Sequence, residues 1–258
     1  MRSRLVAVTA LALCALPAGA GTLEQAVGRA MAEAMRAQYG VLDVPLLQEW
    51  VSEVGAQVVA VSPRARMPYS FTILDSPEAN AFALPGGYIF VTAGLLERAS
   101  SEDEIAGVMA HEAAHLANRD FQRVFTRATL FYLLGAILRH NDYSALEQVT
   151  SLVAMLNLLD HSRKREAQAD AVGVELAVDA GYDPNGLKAF LGTGGGSWSY
   201  LETILSTHPH PARREGWITD HVARLEAEQP ARMLRGAHSL AQRGRCAAAQ
   251  ELLTHLSL

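Results

Sequence analysis

One pentapeptide constrains this chain more than any other feature: His111-Glu112-Ala113-Ala114-His115. Residues four apart lie on one face of an α-helix, one turn above the other. Helical geometry therefore sets two imidazoles side by side, at the spacing needed to bind one metal ion together. Glu112 directly follows the first histidine and can take the proton of a water on that metal. The alternative is a pair of solvent-facing histidines on a surface helix. The flanking residues oppose it. Ile105, Val108, Met109 and Leu116 are apolar, and Ala113 and Ala114 are small, so the segment reads as a core helix. A buried polar pair with nothing to bind is costly. Ser101-Glu102-Asp103-Glu104 marks the start of this helix as a capping box, with acids in the first turn to suit the helix dipole.

Two histidines leave a zinc ion short of a third protein ligand. Glu166 is the best candidate, on a second helical stretch that reads Arg163-Lys164-Arg165-Glu166-Ala167-Gln168-Ala169-Asp170. Asp170 lies four residues on, faces the same way and could accept a hydrogen bond from a ligand histidine. Taken alone, both carboxylates would read as surface partners of Arg163 and Arg165. Beside the histidine pair, a metal site needs Glu166.

The rest of the composition narrows the class. With 258 residues, 50% hydrophobic and 19% charged, the chain is neither disordered nor collagen-like, and it can bury a core in one or two domains. A net charge of −5 argues against a nucleic-acid partner. Two cysteines cannot build a multi-disulfide scaffold. Arg2 and Arg4, the apolar run Leu5 to Leu16, then Pro17 and Ala18-Gly19-Ala20 match a secretory signal peptide over residues 1–20. A buried N-terminal helix is the alternative. The bulky Leu13 before Cys14 argues against a lipoprotein. Cleavage after Ala20 removes both arginines and Cys14. That leaves Cys246 as the one thiol, with no internal disulfide.

Along the chain, Leu23, Val27, Met31 and Met35 trace one helical face, ended by Gly40. Asp43 is the expected cap of a second helix, with Leu47, Trp50, Val51, Val54, Val58 and Val61 inward and Ser62-Pro63 as its stop. Tyr69 to Leu74 alternates as a strand. Asn80 to Leu84 is extended, Pro85-Gly86-Gly87 turns the chain, and Tyr88 to Val91 returns. Thr92 opens a short helix. Ala128 to Leu138 and Val149 to Leu159 are apolar stretches too short to span a bilayer; a buried helical hairpin is expected there, with membrane contact as the alternative. A long helix is expected from Asp160 to Ala180, closed by Gly181, and another from Asp183-Pro184. Gly194 to Gly196 is a flexible break. Ala231 to Gln242 and Cys246 to Leu256 read as a short C-terminal helical hairpin, weakly tetratricopeptide-like.

Four motifs occur in order: Asn-Ala-Phe-Ala-Leu-Pro-Gly-Gly (80–87), the His-Glu-x-x-His helix, Ser-Arg-x-x-Glu-x-x-Ala-Asp (162–170) and Thr-His-Pro (207–209). In them the chain resembles the zinc metallopeptidases that include the CAAX prenyl protease, HtpX, Oma and BepA-like proteins, nearest the exported BepA-like or LoiP-like branch. The resemblance covers roughly Leu23 to Trp217. It implies an α+β, mostly helical gluzincin-type fold, with a small β-sheet beside the active-site helix. It implies one Zn2+ per chain on His111, His115 and Glu166, with Glu112 as base and Asp170 orienting a ligand. His208 of His208-Pro209-His210-Pro211 would be a fourth ligand or gate that keeps the enzyme latent; an exposed proline-rich loop is the alternative. Arg214 would support the site. Asn80, Ala81, Phe82 and Ala83 would form an edge strand against which substrate pairs, or else an ordinary core hairpin.

The expectation is an exported, periplasmic zinc endopeptidase. It would have a metallopeptidase domain over 21–225 and the hairpin over 226–258, and it would cut misfolded or unassembled envelope proteins. A chaperone-like binding module with a latent or structural zinc site is the alternative. BepA-like chains usually carry a long tetratricopeptide domain after the catalytic part, where this sequence has about forty residues, and Glu215 stands where the family has an aliphatic residue.

Overall fold

A computed structural model describes residues 20–121, 163–192 and 211–232, with no side-chain detail for 20–23, 163 and 211–213. The segments expected to form the signal peptide, the 128–159 hairpin, the glycine break, the His208 loop and the C-terminal hairpin lie outside the described residues. So do the first turn of the helix expected from Asp160 and the thiol Cys246.

The described chain is mostly helical with one small sheet. In order it forms α1 (Ala20–Tyr39), α2 (Pro45–Ala60), β1 (Ser70–Leu74), β2 (Ala81–Leu84), β3 (Tyr88–Thr92), α3 (Ala93–Arg98), α4 (Glu102–Ala117), α5 (Arg163–Asp179), α6 (Gly186–Gly192) and α7 (Pro211–Glu228). This is the α+β class expected from the sequence. The sheet order is β1-β3-β2. β3 is central, parallel to β1 and antiparallel to β2, with Ala81 opposite Val91 and Leu84 opposite Tyr88. Gly86 and Gly87 make the β2–β3 turn with φ of 80° and 98°, a left-handed conformation that suits residues without a Cβ.

The pleat sorts side chains onto two faces. Ile73, Ala81, Ile89 and Val91 point into the main core, together with α2, α4, α5 and α6. Leu74, Leu84 and Phe90 point the other way and meet Ala32, Met31 and Met35 of α1. Phe82 stacks on Phe90 there, with ring centroids 5.2 Å apart. The Met31–Met35 stripe of α1 therefore does face inward, although its closest line of approach runs through Gly28 and Ala32.

Three local expectations change. Asp43 does not cap α2. Val44 is the N-cap and makes no side-chain cap bond, and Pro45 opens the helix. Proline has no N–H to satisfy and its φ is already helical, so this start does not need a capping oxygen. Val61 is 38% exposed. It follows the last turn of α2, where Val59 faces inward in its place. Similarly, Asp183-Pro184 forms a turn ahead of α6 instead of its first residues: Asp183 Oδ1 accepts from Asn185 N at 2.7 Å, and the helix begins at Gly186.

The two sheet edges differ. The ladder directs the outward backbone groups of β1 at Phe71 and Ile73. Gln48 of α2 covers them with one amide: its Nε2 donates to Phe71 O at 3.0 Å and its Oε1 accepts from Ile73 N at 3.1 Å. Leu42 N donates to Ile73 O at 2.9 Å. The β1 edge is thus closed by a side chain that imitates a strand. Replacing Gln48 by alanine leaves a buried acceptor and donor unpaired. We expect a loss of about 1–3 kcal/mol, read as a lower urea midpoint with an unchanged slope.

Candidate metal centre

α4 is a helix with almost no solvent face, buried at nearly every position from Glu104 to Leu116. It packs on α2, α5, α6 and β2. Its start is built as the sequence indicates. Ser101 Oγ accepts from Glu104 N at 3.2 Å, and the Glu104 carboxylate reaches back to accept from Ser100 N at 2.8 Å. Glu102, Asp103 and Glu104 place three acids in the first turn. The other end is held by Arg64, whose Nη1 donates to Leu116 O at 3.0 Å while the same guanidinium pairs with Glu24 of α1.

On this scaffold His111 and His115 stand edge to face, with ring centroids 4.7 Å apart and Nε2 atoms 3.1 Å apart. Glu166 of α5 closes the triangle: Oε2 lies 3.5 Å from His111 Nε2 and Oε1 lies 3.6 Å from His115 Nε2. These three residues offer converging ligand atoms. An ion bound tetrahedrally at about 2.1 Å keeps its ligand atoms about 3.4 Å apart. The observed spacings bracket that value, so the donor set fits a small divalent ion.

The outer ring nitrogens are also engaged. His111 Nδ1 lies 3.0 Å from Asp170 Oδ1, and His115 Nδ1 lies 2.9 Å from Asp120 Oδ2. Each imidazole can donate Nδ1–H to a carboxylate, which presents a lone pair on Nε2 to the centre. Arg214 of α7 locks Asp170 from behind. Its Nη2 donates to Asp170 Oδ1 at 2.7 Å and its Nε to both carboxylate oxygens at 3.2 Å. The same Nη2 stands 3.2 Å from His111 Nδ1. Three chain segments distant in sequence thus meet at one histidine.

Burial makes this arrangement electrostatically strong. Glu166 and Asp170 are each 1% exposed, and Arg214 is 2% exposed. Surface salt bridging is therefore not their role. Burial and the Arg214 charge both work against a protonated His111, yet the Asp170 and Glu166 carboxylates override them and hold its pKa up to about 9. Burial would raise the Asp170 carboxyl, but Arg214 and His111 hold it below the usual carboxylate range. Arg214, despite burial, is kept charged by Asp170, Glu166 and Glu112. Glu112, Glu166 and Asp170 set three buried carboxylates against one guanidinium, a surplus that favours a cation at the imidazoles.

The space between α4 and α5 is set by Gly173. A Cβ there would lie 3.0 Å from both N and Cα of His111. Glu166, Asp170 and Gly173 follow one another along the same side of α5, so the helix carrying the carboxylates meets the histidine helix at backbone distance.

Of the residues expected from the sequence, His111, Glu112, His115, Glu166, Asp170 and Arg214 come together. Asn80 to Ala83 lead into and form β2, the outer strand on the side of the sheet that α4 packs against. His208 and His210 lie outside the described residues. Asp120 was not expected. It follows the helix end at Asn118 and the left-handed Arg119, and no spacing rule for ligand histidines points to it.

The comparisons with known proteins agree with this geometry. Residues 45–219 match the model of peptidase family M48. The chain is 33% identical to the mitochondrial metalloendopeptidase OMA1 of Schizosaccharomyces pombe, over 69% of this chain and 55% of that protein. It is 26% identical to the beta-barrel assembly-enhancing protease of Escherichia coli (strain K12), over 74% of this chain and 42% of that protein. A likeness of 32% to the OMA1 metalloendopeptidase of Arabidopsis thaliana covers 67% of this chain and 36% of that protein. The chain spans about half the length of the curated relatives it matches. With the family model matched over residues 45–219, through the helices that carry the histidines and the carboxylates, this protein belongs to peptidase family M48.

Proposed function

We propose that this protein is a zinc-dependent endopeptidase that hydrolyses peptide bonds in unfolded or unassembled proteins of the cell envelope. The observation that carries the reading is the buried convergence of His111, His115 and Glu166, with Glu112 on the same helix as the two histidines. His111 and His115 through Nε2, and Glu166 through its carboxylate, would hold one zinc. Zinc in such a site supplies Lewis acidity, acidifying a water and polarising a carbonyl oxygen. Glu112 acts as general base toward that water and then as general acid toward the leaving amine. Asp170, fixed by Arg214, keeps His111 in the tautomer that binds metal.

The free edge of β2 supports a polypeptide substrate. Thr92 N donates to Asn80 O, so Asn80, Phe82 and Leu84 turn their backbone groups to β3, while Ala81 and Ala83 turn theirs outward. Among the described residues no strand pairs with that outer side. An extended segment can add there by main-chain hydrogen bonds alone, as recognition of many unfolded sequences requires. The envelope assignment rests on the beta-barrel assembly-enhancing relatives and on the signal-like N-terminus. Among the described residues no helix is long and apolar enough to cross a membrane. We assign the protein to the periplasm on the relatives and the signal-like N-terminus alone.

Two outcomes are expected. Glu112→Gln should lower cleavage of an unfolded protein by about 10²–10⁴-fold while one zinc per chain, measured by atomic emission, is retained. Zinc-replete wild type that cleaves no unfolded substrate would refute the endopeptidase reading. Ala83→Pro removes only an outward N–H, which an edge strand tolerates. It should raise KM for an unfolded protein severalfold, with the melting temperature within a few degrees of wild type; an unchanged KM would mean that substrate does not pair with β2.

A further inference from the structure

Asp120 is a buried carboxylate outside the three-residue ligand set. It is 3% exposed, it lies just past the end of α4, and its Oδ2 is 2.9 Å from His115 Nδ1. The backbone goes out of its way to put it there. α4 ends at Ala117 with Asn118 as its C-cap, and Arg119 adopts φ 56°. Among the described residues it is the one non-glycine with positive φ, a conformation that is uncommon for residues with a Cβ. The chain is helical again at Asp120. Such a left-handed break turns the next residue back beneath the helix it has just left, and the side chain under His115 is a carboxylate.

We infer that Asp120 is a positioning residue for the metal, holding His115 by its Nδ1–H so that Nε2 is the ligand atom. The arrangement mirrors the one on the other side of the centre, where Asp170 engages His111 Nδ1. The two differ in one respect. Asp170 is clamped by the Arg214 guanidinium, whereas Asp120 is aimed by the Arg119 turn. Each ligand histidine thus has its own carboxylate, supplied by long-range packing for His111 and by local backbone geometry for His115. The inference rests on the zinc reading above and extends it to a residue that acts through His115.

The test is zinc affinity by competition with a chromogenic chelator, run on wild type, Asp120→Ala and Asp120→Asn. The absorption bands of the cobalt-substituted proteins and the melting of the metal-stripped proteins are recorded alongside. Asp120→Ala is expected to weaken zinc about 10–100-fold and to alter the cobalt bands. Asp120→Asn, which keeps an acceptor oxygen without the charge, should recover part of that loss. The metal-stripped melting curves of wild type and Asp120→Asn should nearly coincide. If Asp120→Ala does not fold, Asp120→Asn decides the matter by an affinity between wild type and a 10-fold loss, with shifted cobalt bands. Wild-type zinc binding with unchanged affinity and cobalt bands in the variants would overturn the role of Asp120 and leave the zinc reading intact. Failure of folded wild type to bind zinc would overturn both.

Discussion

The contact between α4 and α5 is the constraint on which the rest of the molecule depends. Two helices cannot bring a histidine and a glutamate into one ligand set unless their backbones come close, and Gly173 against His111 is where they do. A small residue at that point trades side-chain packing for proximity. The closeness makes burial unavoidable, and burial in turn makes every charge at the interface consequential. Arg214 and His111 hold the Asp170 carboxyl below its usual range, and the neighbouring carboxylates keep Arg214 charged despite its burial. The centre and the core are therefore one structure: His111, which could hold an ion, also belongs with Asp170 and Arg214 to the network that joins α7 to α4 and α5.

The sheet serves this arrangement by being unequal at its two edges. β1 is finished by Gln48 and Leu42, which take up its outward backbone groups. β2 is left with outward groups at Ala81 and Ala83, beside the helix that carries the histidines. An exposed edge is normally a liability, because it templates pairing with any other strand. Among the described residues one edge is closed and the other open, which confines that liability to the side where the proposed substrate would pair. The small alanines keep the strand close to α4, and the aromatic pair Phe82 and Phe90 anchors its opposite face.

Much of this was legible in the sequence because local rules carried it. The i, i+4 spacing of His111 and His115 needs only helical geometry, and the box at Ser101 to Glu104 announces the helix that supplies it. Pro85-Gly86-Gly87 marks a hairpin by turn chemistry, and the family motif carried Glu166 and Asp170 into the site. Asp43 failed as a cap because Pro45 removes the need for one, a competition between two valid signals. Arg214 could be tied to the site only by resemblance. Its contacts to Asp170 and His111 span 44 and 103 residues, and no local pattern encodes them. Asp120 was invisible for a different reason. It is near in sequence, but five residues from His115 is off the ligand face of a regular helix. Only the left-handed Arg119 returns it, and a single non-glycine residue in that conformation leaves no signature in sequence.

The two histidines therefore rest on supports of different physical origin. His111 is held by a charge network closed between α5 and α7, and breaking any member strands buried charge in the others. His115 meets a carboxylate that follows an unusual backbone angle, in a residue pair that is 17% and 4% exposed at the side chains. The first support is coupled to global packing and fails with it. The second begins locally, at the residues directly after α4. The chain leaves α4 through Arg119 and Asp120, so the left-handed turn at Arg119 is tied to the orientation of His115.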